Sequence, residues 1–218
     1  MRKTNWFLSL LFILMTVWAQ GAVVTRIDSS TAYMYRGSQV EDAFVLQPSV
    51  TGLIGPLAFG VWSNYNCDVN DYDEIDTFVS LSQKVGKLNA TVGGQAYFIF
   101  DVFNTYDVSL ALSHDSLKYF NLLGVYDFGQ WDGFYGEANV SPSFPLNEKF
   151  TISSVMGMGY NQDYMCYSHG FSHLYGSMSL SFQWTQHAKF ILTGYHQEKI
   201  GSDFLSKTMG QLSFVREI

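Results

Sequence analysis

The sequence predicts an all-β protein, a closed antiparallel up-and-down transmembrane β-barrel of about 12 strands, and three observations support this fold. Apolar residues alternate with small or polar residues along most of the chain, which is strand periodicity. Most alternating runs exceed the ~5–6 residues of an ordinary strand and match the ~9–11 residues that a tilted strand needs to cross a bilayer. Short and long connections alternate between the runs, as they do in bacterial outer-membrane barrels.

The composition agrees with a protein whose surface is only partly in contact with water. Of the 218 residues, 47% are hydrophobic and only 14% are charged, whereas a soluble domain usually carries about 25% charged residues. The excess of 19 Asp and Glu over 12 Lys and Arg argues against a nucleic-acid binder. The length suits a single domain.

The N-terminus has the three-part pattern of a secretory signal peptide. Residues 2 and 3 are basic, residues 6–18 are largely apolar, and small residues precede a cleavage site after Gly21. We therefore predict a cleaved signal over 1–21 and a barrel over 22–218, placed in a bacterial outer membrane. A retained anchor helix is the alternative.

Twelve alternating runs are predicted as the strands of the barrel wall. They are 23–36, 43–54, 57–66, 74–85, 88–100, 104–114, 117–128, 132–145, 149–160, 172–185, 188–197 and 207–218. The even-numbered connections are tight, such as Gly55-Pro56 and Gly86-Lys87, and the longest odd-numbered one is 161–171. Short turns lie at the periplasmic side of such barrels, so both termini are expected there.

Aromatic residues cluster near the predicted strand ends. Outer-membrane barrels carry girdles of aromatic side chains at both membrane interfaces. The residues that predict such girdles are Tyr33, Tyr35, Tyr65, Tyr106, Tyr119, Phe134, Tyr160, Trp184 and Phe214. Aromatics of an ordinary β-protein core are the alternative.

Four short motifs, in their order and spacing, resemble the TorF-type porin family of proteobacterial outer membranes. They are Tyr35-Arg36-Gly37-Ser38-Gln39 at the end of the first strand, Gly60-Val61-Trp62-Ser63-Asn64 in the third, Glu74-Ile75-Asp76 at the start of the fourth, and Gly133-Phe134-Tyr135-Gly136-Glu137-Ala138-Asn139 in the eighth. The resemblance spans nearly the whole mature chain. It implies a closed barrel with a pore and does not imply a substrate.

The last residue departs from the pattern of such barrels. They usually end in an aromatic residue that the barrel assembly machinery recognises, whereas this chain ends in Ile218, and Phe214 is the candidate to carry that signal instead. The expected partners are that machinery, outer-membrane lipid and lipopolysaccharide, and small solutes. We expect no cofactor, no metal site and no nucleic acid.

The inward face of the predicted barrel carries polar and charged side chains. In a barrel of 8 strands the side chains fill the interior, whereas barrels of 16–18 strands enclose a wide channel. A barrel of 12 strands lies between these two cases. The pore-lining candidates are Arg26, Asp28, Arg36, Asp76, Lys84, Gln95, Asp107, Glu137, Asn139 and Gln183. Because many other inward residues are Ser, Thr or Gly, we predict a narrow water-filled pore. Acidic residues outnumber basic ones on the inward face, so the pore is expected to have a mild preference for cations. A lumen plugged by ion pairs is the alternative.

Three functions are compatible with such a barrel. The first is passive diffusion of small hydrophilic solutes, and the second is a plugged structural or adhesion barrel with functional outer loops. A membrane-embedded lipid hydrolase is less well supported, because residues 168–173 bring Ser and His together without an identifiable acid to orient the base. A channel for acidic oligosaccharides would require a lumen rich in Arg, and the mature chain has only Arg26, Arg36 and Arg216.

Two cysteines, Cys67 and Cys166, fall in predicted long loops. The periplasm is oxidising, so a disulfide across the barrel mouth is a candidate, provided that the loops fold inward to the ~4.4–6.8 Å Cα separation a disulfide needs. Two unpaired thiols are the alternative.

Overall fold

A computed structural model describes residues 21–166, 168–201 and 204–218. The signal peptide predicted over 1–21 lies, apart from Gly21, outside the described residues. The described part of the chain is all-β, and it forms the closed antiparallel barrel of 12 strands that the sequence predicted. No helix among the described residues is long and apolar enough to cross a membrane.

Fifteen strands are present in the described part of the chain. They are β1 (Ala22–Ser30), β2 (Tyr33–Tyr35), β3 (Ser38–Glu41), β4 (Val45–Ile54), β5 (Leu57–Asn66), β6 (Asp71–Val85), β7 (Leu88–Ile99), β8 (Phe103–His114), β9 (Phe120–Asp127), β10 (Phe134–Val140), β11 (Ser143–Pro145), β12 (Phe150–Gln162), β13 (His169–Thr185), β14 (Ala188–Lys199) and β15 (Lys207–Glu217). All except β2 and β3 belong to the wall, in which β10 and β11 continue one another along β12.

The wall closes because each strand pairs with its neighbours in sequence and the first strand pairs with the last. β1 pairs with β4 on one side and with β15 on the other, and β10 pairs with both β9 and β12. Closure satisfies the backbone hydrogen bonds that an open edge would leave exposed to lipid. β2 and β3 form a separate sheet of two strands.

The period-two alternation separates an apolar outside from a polar inside. In β7, for example, Val92 points outward with 57% of its surface exposed, whereas Tyr97 points inward with 4% exposed. The outward apolar band includes Ile27, Val79, Leu81, Val108, Leu110, Leu122, Met156, Leu174, Met178, Leu180, Leu192 and Leu212. Such a band is what a bilayer requires of a barrel exterior.

The first strand is shorter than the sequence predicted. The prediction over 23–36 was wrong beyond Ser30, because β1 ends there and residues 33–41 form the β2–β3 hairpin. The alternation continues through Tyr33–Tyr35 since that segment is itself a strand, and periodicity alone does not separate a wall strand from a hairpin strand.

Other strand ends also differ from the prediction. The eighth run, 132–145, is interrupted between β10 and β11 at Pro142, which has no N–H to donate to the ladder. β13 begins at His169 and β12 ends at Gln162, so the longest predicted connection, 161–171, shrinks to residues 163–168.

The two ends of the lumen have different linings. Towards the end with the short turns, facing hydroxyls join across neighbouring strands, as in the pairs Ser82–Thr91 at 2.9 Å and Ser179–Thr193 at 2.8 Å. Towards the end with the long connections, large aromatic and charged side chains fill the interior. This second region contains the candidate site.

Candidate functional site

The connection between β1 and β4 folds back into the lumen as the β2–β3 hairpin. Tyr35 pairs with Ser38, so the turn consists of two residues, Arg36 and Gly37. Both have positive φ, 47° and 85°, as a type I′ hairpin turn requires. Tyr33 is 7% exposed. The hairpin is therefore packed inside the barrel rather than extended from its rim.

The Arg36 side chain anchors the tip of the hairpin to the opposite wall. Its Nη1 donates to Asp107 Oδ2 on β8 at 2.8 Å and also to the Tyr164 hydroxyl. The guanidinium lies 4.6 Å from the ring centroid of Tyr35, 5.0 Å from that of Tyr164 and 5.9 Å from that of Tyr135. A buried ion pair inside an aromatic cage is costly to break from one side, since the remaining charge stays buried.

Tyrosine hydroxyls extend this anchor along the wall. The hydroxyls of Tyr35 and Tyr97 are 2.6 Å apart, and Tyr97 donates to Asp107 Oδ2 at 2.5 Å. At the base of the hairpin, the Tyr33 ring packs 5.4 Å from the Trp62 ring of β5. The hairpin thus contacts β5, β7 and β8 on one side of the lumen.

The other side of the hairpin tip contacts β13 and β14. The Gly37 carbonyl accepts a hydrogen bond of 2.8 Å from Gln197 Nε2, and the same amide donates to the Leu205 carbonyl at 2.7 Å. A Cβ on Gly37 would lie 2.2 Å from His173 Nδ1, and one on Gly159 would lie 2.5 Å from His173 Cε1. The two glycines leave the space that the histidine ring occupies, and the hairpin spans the lumen from wall to wall.

Gly37→Ala is expected to displace the hairpin while leaving the wall intact. The substitution combines a positive φ, which costs of order 1–3 kcal/mol for a residue with a Cβ, with a clash against His173. We expect higher single-channel conductance in a planar bilayer and an unchanged heat-modifiable band on electrophoresis. Gly194→Ala, where a Cβ meets nothing within 4 Å, is the control and should conduct as the unchanged protein does. Conductance of Gly37→Ala equal to that of Gly194→Ala would contradict the hairpin's position.

The serine–histidine group of residues 168–173 lies beside this hairpin. Ser172 Oγ and His173 Nδ1 are 2.9 Å apart, and both residues are fully buried on the lumen side. A bulge between β12 and β13 inserts Ser172 as an extra residue and so brings both side chains together. Phe204 covers the imidazole at a ring distance of 6.3 Å. In this packing the pair supports the hairpin tip and does not face lipid.

At the hairpin tip the structure brings together two of the ten predicted pore-lining residues, Arg36 and Asp107, and it joins six of the others in three pairs elsewhere along the barrel. Arg26 pairs with Asp28 at 2.8 Å, Asp76 accepts from Gln95 at 2.8 Å, and Glu137 accepts from Asn139 at 2.9 Å. Lys84 lies exposed at the short-turn end beside Asp115, and Gln183 donates to the Thr185 carbonyl. The last two are therefore remote from the hairpin.

Sequence reasoning missed several of the residues that hold the hairpin, namely Tyr97, Tyr135, Tyr164 and Gln197. Tyr97 and Tyr135 occupy inward positions of strands whose other inward residues are mostly small or polar, and that contrast was an available signal. Tyr164 lies in a connection without periodicity, so the sequence contained no signal for its position. The expectation that Tyr33 and Tyr35 belong to an aromatic girdle was wrong, because both are in the hairpin.

The two cysteines are half-buried, and no disulfide joins Cys67 to Cys166 in this structure. Cys67 follows β5 directly, and its N–H donates to the Phe44 carbonyl at 3.0 Å. The candidate disulfide of the sequence analysis is therefore not formed here.

A closed 12-stranded barrel with an apolar exterior and a polar lumen is also the fold of solved outer-membrane porins and channels. The fold is similar to the solved structures of the NanC porin (TM-score 0.61, 16% identity, 89% of this chain and 98% of that chain) and the KdgM porin (TM-score 0.59, 10% identity, 89% and 98%). It is also similar to an outer membrane channel from Pseudomonas putida F1 (TM-score 0.59, 12% identity, 91% and 96%). No family model and no curated protein sequence matches the chain. At these identities the likeness is one of fold.

Proposed function

We propose that the protein is an outer-membrane channel for the passive diffusion of small hydrophilic solutes, with a mild preference for cations. The observation that carries the proposal is the polar inner wall of a 12-stranded barrel whose outer face is apolar. The structurally similar proteins are porins and channels by name, which supports the same class. The cleaved signal, the contact with lipopolysaccharide and membership of the TorF-type family remain predictions.

The hairpin sets the size of solute that such a channel admits. It fills the central part of the lumen towards the long-loop end, so a solute passes between the hairpin and the wall. The alternative, a plugged structural or adhesion barrel, is favoured by the number of contacts that hold Arg36 and Gly37 in place. Conductance of the purified barrel separates the two functions.

The lumen is unsuited to acidic oligosaccharides. One solved structure of the KdgM porin is a complex with oligogalacturonate, an acidic sugar polymer. In this chain Arg26 forms an ion pair with Asp28, and Arg36 forms one with Asp107. Neither guanidinium group is therefore free to bind the carboxylate of a solute through two hydrogen bonds. Glu74, Asp76 and Glu137 add acidic side chains to the inner face. We therefore propose neutral or cationic solutes.

Asp76→Lys is expected to shift ion selectivity towards anions. The substitution replaces a negative charge on the lumen wall by a positive one, and charges that line a pore set its preference. The measurement is the reversal potential of the refolded mature chain in a planar bilayer under a salt gradient. Asp107→Lys should shift it in the same direction and also raise conductance, because it removes the Arg36 anchor.

Discrete conductance steps with a cation-biased reversal potential support the proposed function. A folded, heat-modifiable barrel without conductance would instead establish the plugged alternative. An unchanged reversal potential in both lysine variants would show that neither carboxylate borders the conduction path.

A further inference from the structure

A cavity of about 340 Å³ lies between the hairpin and the barrel wall, and the channel function does not by itself explain its lining. Tyr33 and Met34 of the hairpin form one side, and Trp62, Phe78 and Met209 of the wall form the others. The volume falls within the ~300–1,000 Å³ of small-molecule sites. Tyr33, Trp62 and Phe78 give this cavity an aromatic lining, and Met34 and Met209 add two thioether groups.

Two buried polar atoms at this cavity have no hydrogen-bond partner. Ser30 is 2% exposed and Asp76 is 3% exposed, and both line the cavity. The Ser30 Oγ and the Asp76 Oδ1 are without a partner among the described residues. Buried polar side-chain atoms usually form hydrogen bonds, so an atom without one indicates that a further group binds there. Here two exceptions border the same space.

The charge of the missing partner follows from the neighbouring residues. Asp76 Oδ2 accepts one hydrogen bond from Gln95 Nε2 at 2.8 Å. Glu74, two residues earlier on the same inward face of β6, is 5% exposed and interacts with the Asp76 carboxyl group and the Tyr33 hydroxyl. Among the described residues, no Lys, Arg or His forms an ion pair with either carboxylate. Buried carboxylates are normally paired, so the partner that suits this wall is a cation.

The aromatic lining favours an organic ammonium cation over a metal ion. Tyr33 and Trp62 lie with their ring centroids 5.4 Å apart at the edge of the cavity, and the faces of such rings attract ammonium groups. A hydrated metal ion gains little from aromatic walls, whereas an alkylated ammonium gains both cation–π attraction and burial of its apolar groups. Gln47 and Gln211 also line the cavity and bring two amide groups to it.

We propose that this cavity is a binding subsite for small organic ammonium cations, with Asp76 as the counter-ion, Tyr33 and Trp62 as the aromatic faces and Ser30 as a hydrogen-bond partner. This inference rests on the proposed channel function and deepens it, since it names the class of solute that the lumen holds. The preference for cations then arises at one place, under the hairpin, rather than from the average charge of the wall.

The test uses the refolded mature chain with choline chloride and tetramethylammonium chloride as probes. We expect saturable binding of both by titration calorimetry and a choline-dependent decrease in potassium conductance. Asp76→Asn should weaken choline binding at least tenfold. The matched control is Asp101→Asn, which removes the same charge from an exposed outer turn and whose φ of 60° asparagine tolerates. Trp62→Leu is a second variant, expected to weaken choline binding without a change of charge.

Each outcome decides between the two proposals. Potassium conductance without choline binding, or choline binding that Asp76→Asn and Trp62→Leu leave unchanged, would overturn the subsite while leaving the channel in place. Choline binding that depends on Asp76 in a barrel without conductance would support the subsite and overturn the channel. Equal binding of glucose would show a site for neutral solutes and overturn the ammonium class.

Discussion

Replacing residues 31–44 by an Asn-Gly turn is expected to raise single-channel conductance several-fold. Ser30 and Val45 are directly paired partners at the ends of β1 and β4, so a two-residue hairpin turn joins them without moving either strand. The β2–β3 hairpin belongs to a separate sheet, and the backbone bonds from the replaced segment to its neighbours come from its two ends, where Thr31 donates to Gly210 and Phe44 accepts from Cys67. Its removal therefore empties the lumen without opening the barrel. Single-channel recording in a planar bilayer measures the effect.

The control for this deletion is Asp42→Asn, which changes the charge of the same connection outside the hairpin. Asp42 pairs with Lys207 at the exposed rim, so its substitution should leave conductance unchanged. Both variants must show the heat-modifiable band of a closed barrel. A deletion variant that is folded and conducts no better than Asp42→Asn would show that the hairpin does not occupy the conduction path.

Val92→Arg is expected to destabilise the barrel by about 2–4 kcal/mol, the cost of an arginine near the midplane of a bilayer. Val92 lies near the middle of β7, is 57% exposed on the outer face and pairs with Leu81 and Leu110, which are also outward. Urea titration of the barrel folded into lipid vesicles measures the free energy of unfolding. Leu110→Arg should behave in the same way.

Thr91→Arg is the matched control because it introduces the same side chain one residue earlier. The Thr91 hydroxyl meets that of Ser82 inside the lumen at 2.9 Å, so an arginine there extends into the lumen. Its effect on the free energy of unfolding should be far smaller. A Thr91→Arg variant less stable than Val92→Arg would mean that the assignment of inner and outer faces is reversed.

The wall of this barrel could be predicted from sequence because one physical constraint acts on every strand. Each wall strand has an apolar outer face and a second face towards the lumen, so alternate residues meet the same surroundings, as in the run around Val92. The interruption at Pro142 shows the limit of that reasoning. Polar and apolar residues alternate throughout the run 132–145, although the missing N–H of Pro142 interrupts its backbone hydrogen bonds to the neighbouring strand.

The candidate site could be predicted only in part because it depends on contacts between distant segments. The sequence indicated that Arg36 and Asp107 point inward but not that they meet. Their meeting depends on the turn at Gly37, whose two neighbours in space, His173 and Gln197, carry no pattern that links them to it. The alternation of polar and apolar residues predicts which face of the wall a residue occupies. It does not predict that a hairpin crosses the lumen.

The order in which the hairpin's contacts occur along the chain has a consequence for biogenesis. The hairpin follows the first wall strand, yet Arg36 bonds to residues 71 and 128 positions later and Gly37 to one 160 positions later. Asp107 belongs to β8 near the middle of the chain, whereas Gln197 belongs to β14, so the complete set of contacts requires nearly the whole wall. Full docking of the hairpin is therefore expected late in folding, and a barrel whose last strands have not yet paired is expected to have a more open lumen than the closed one.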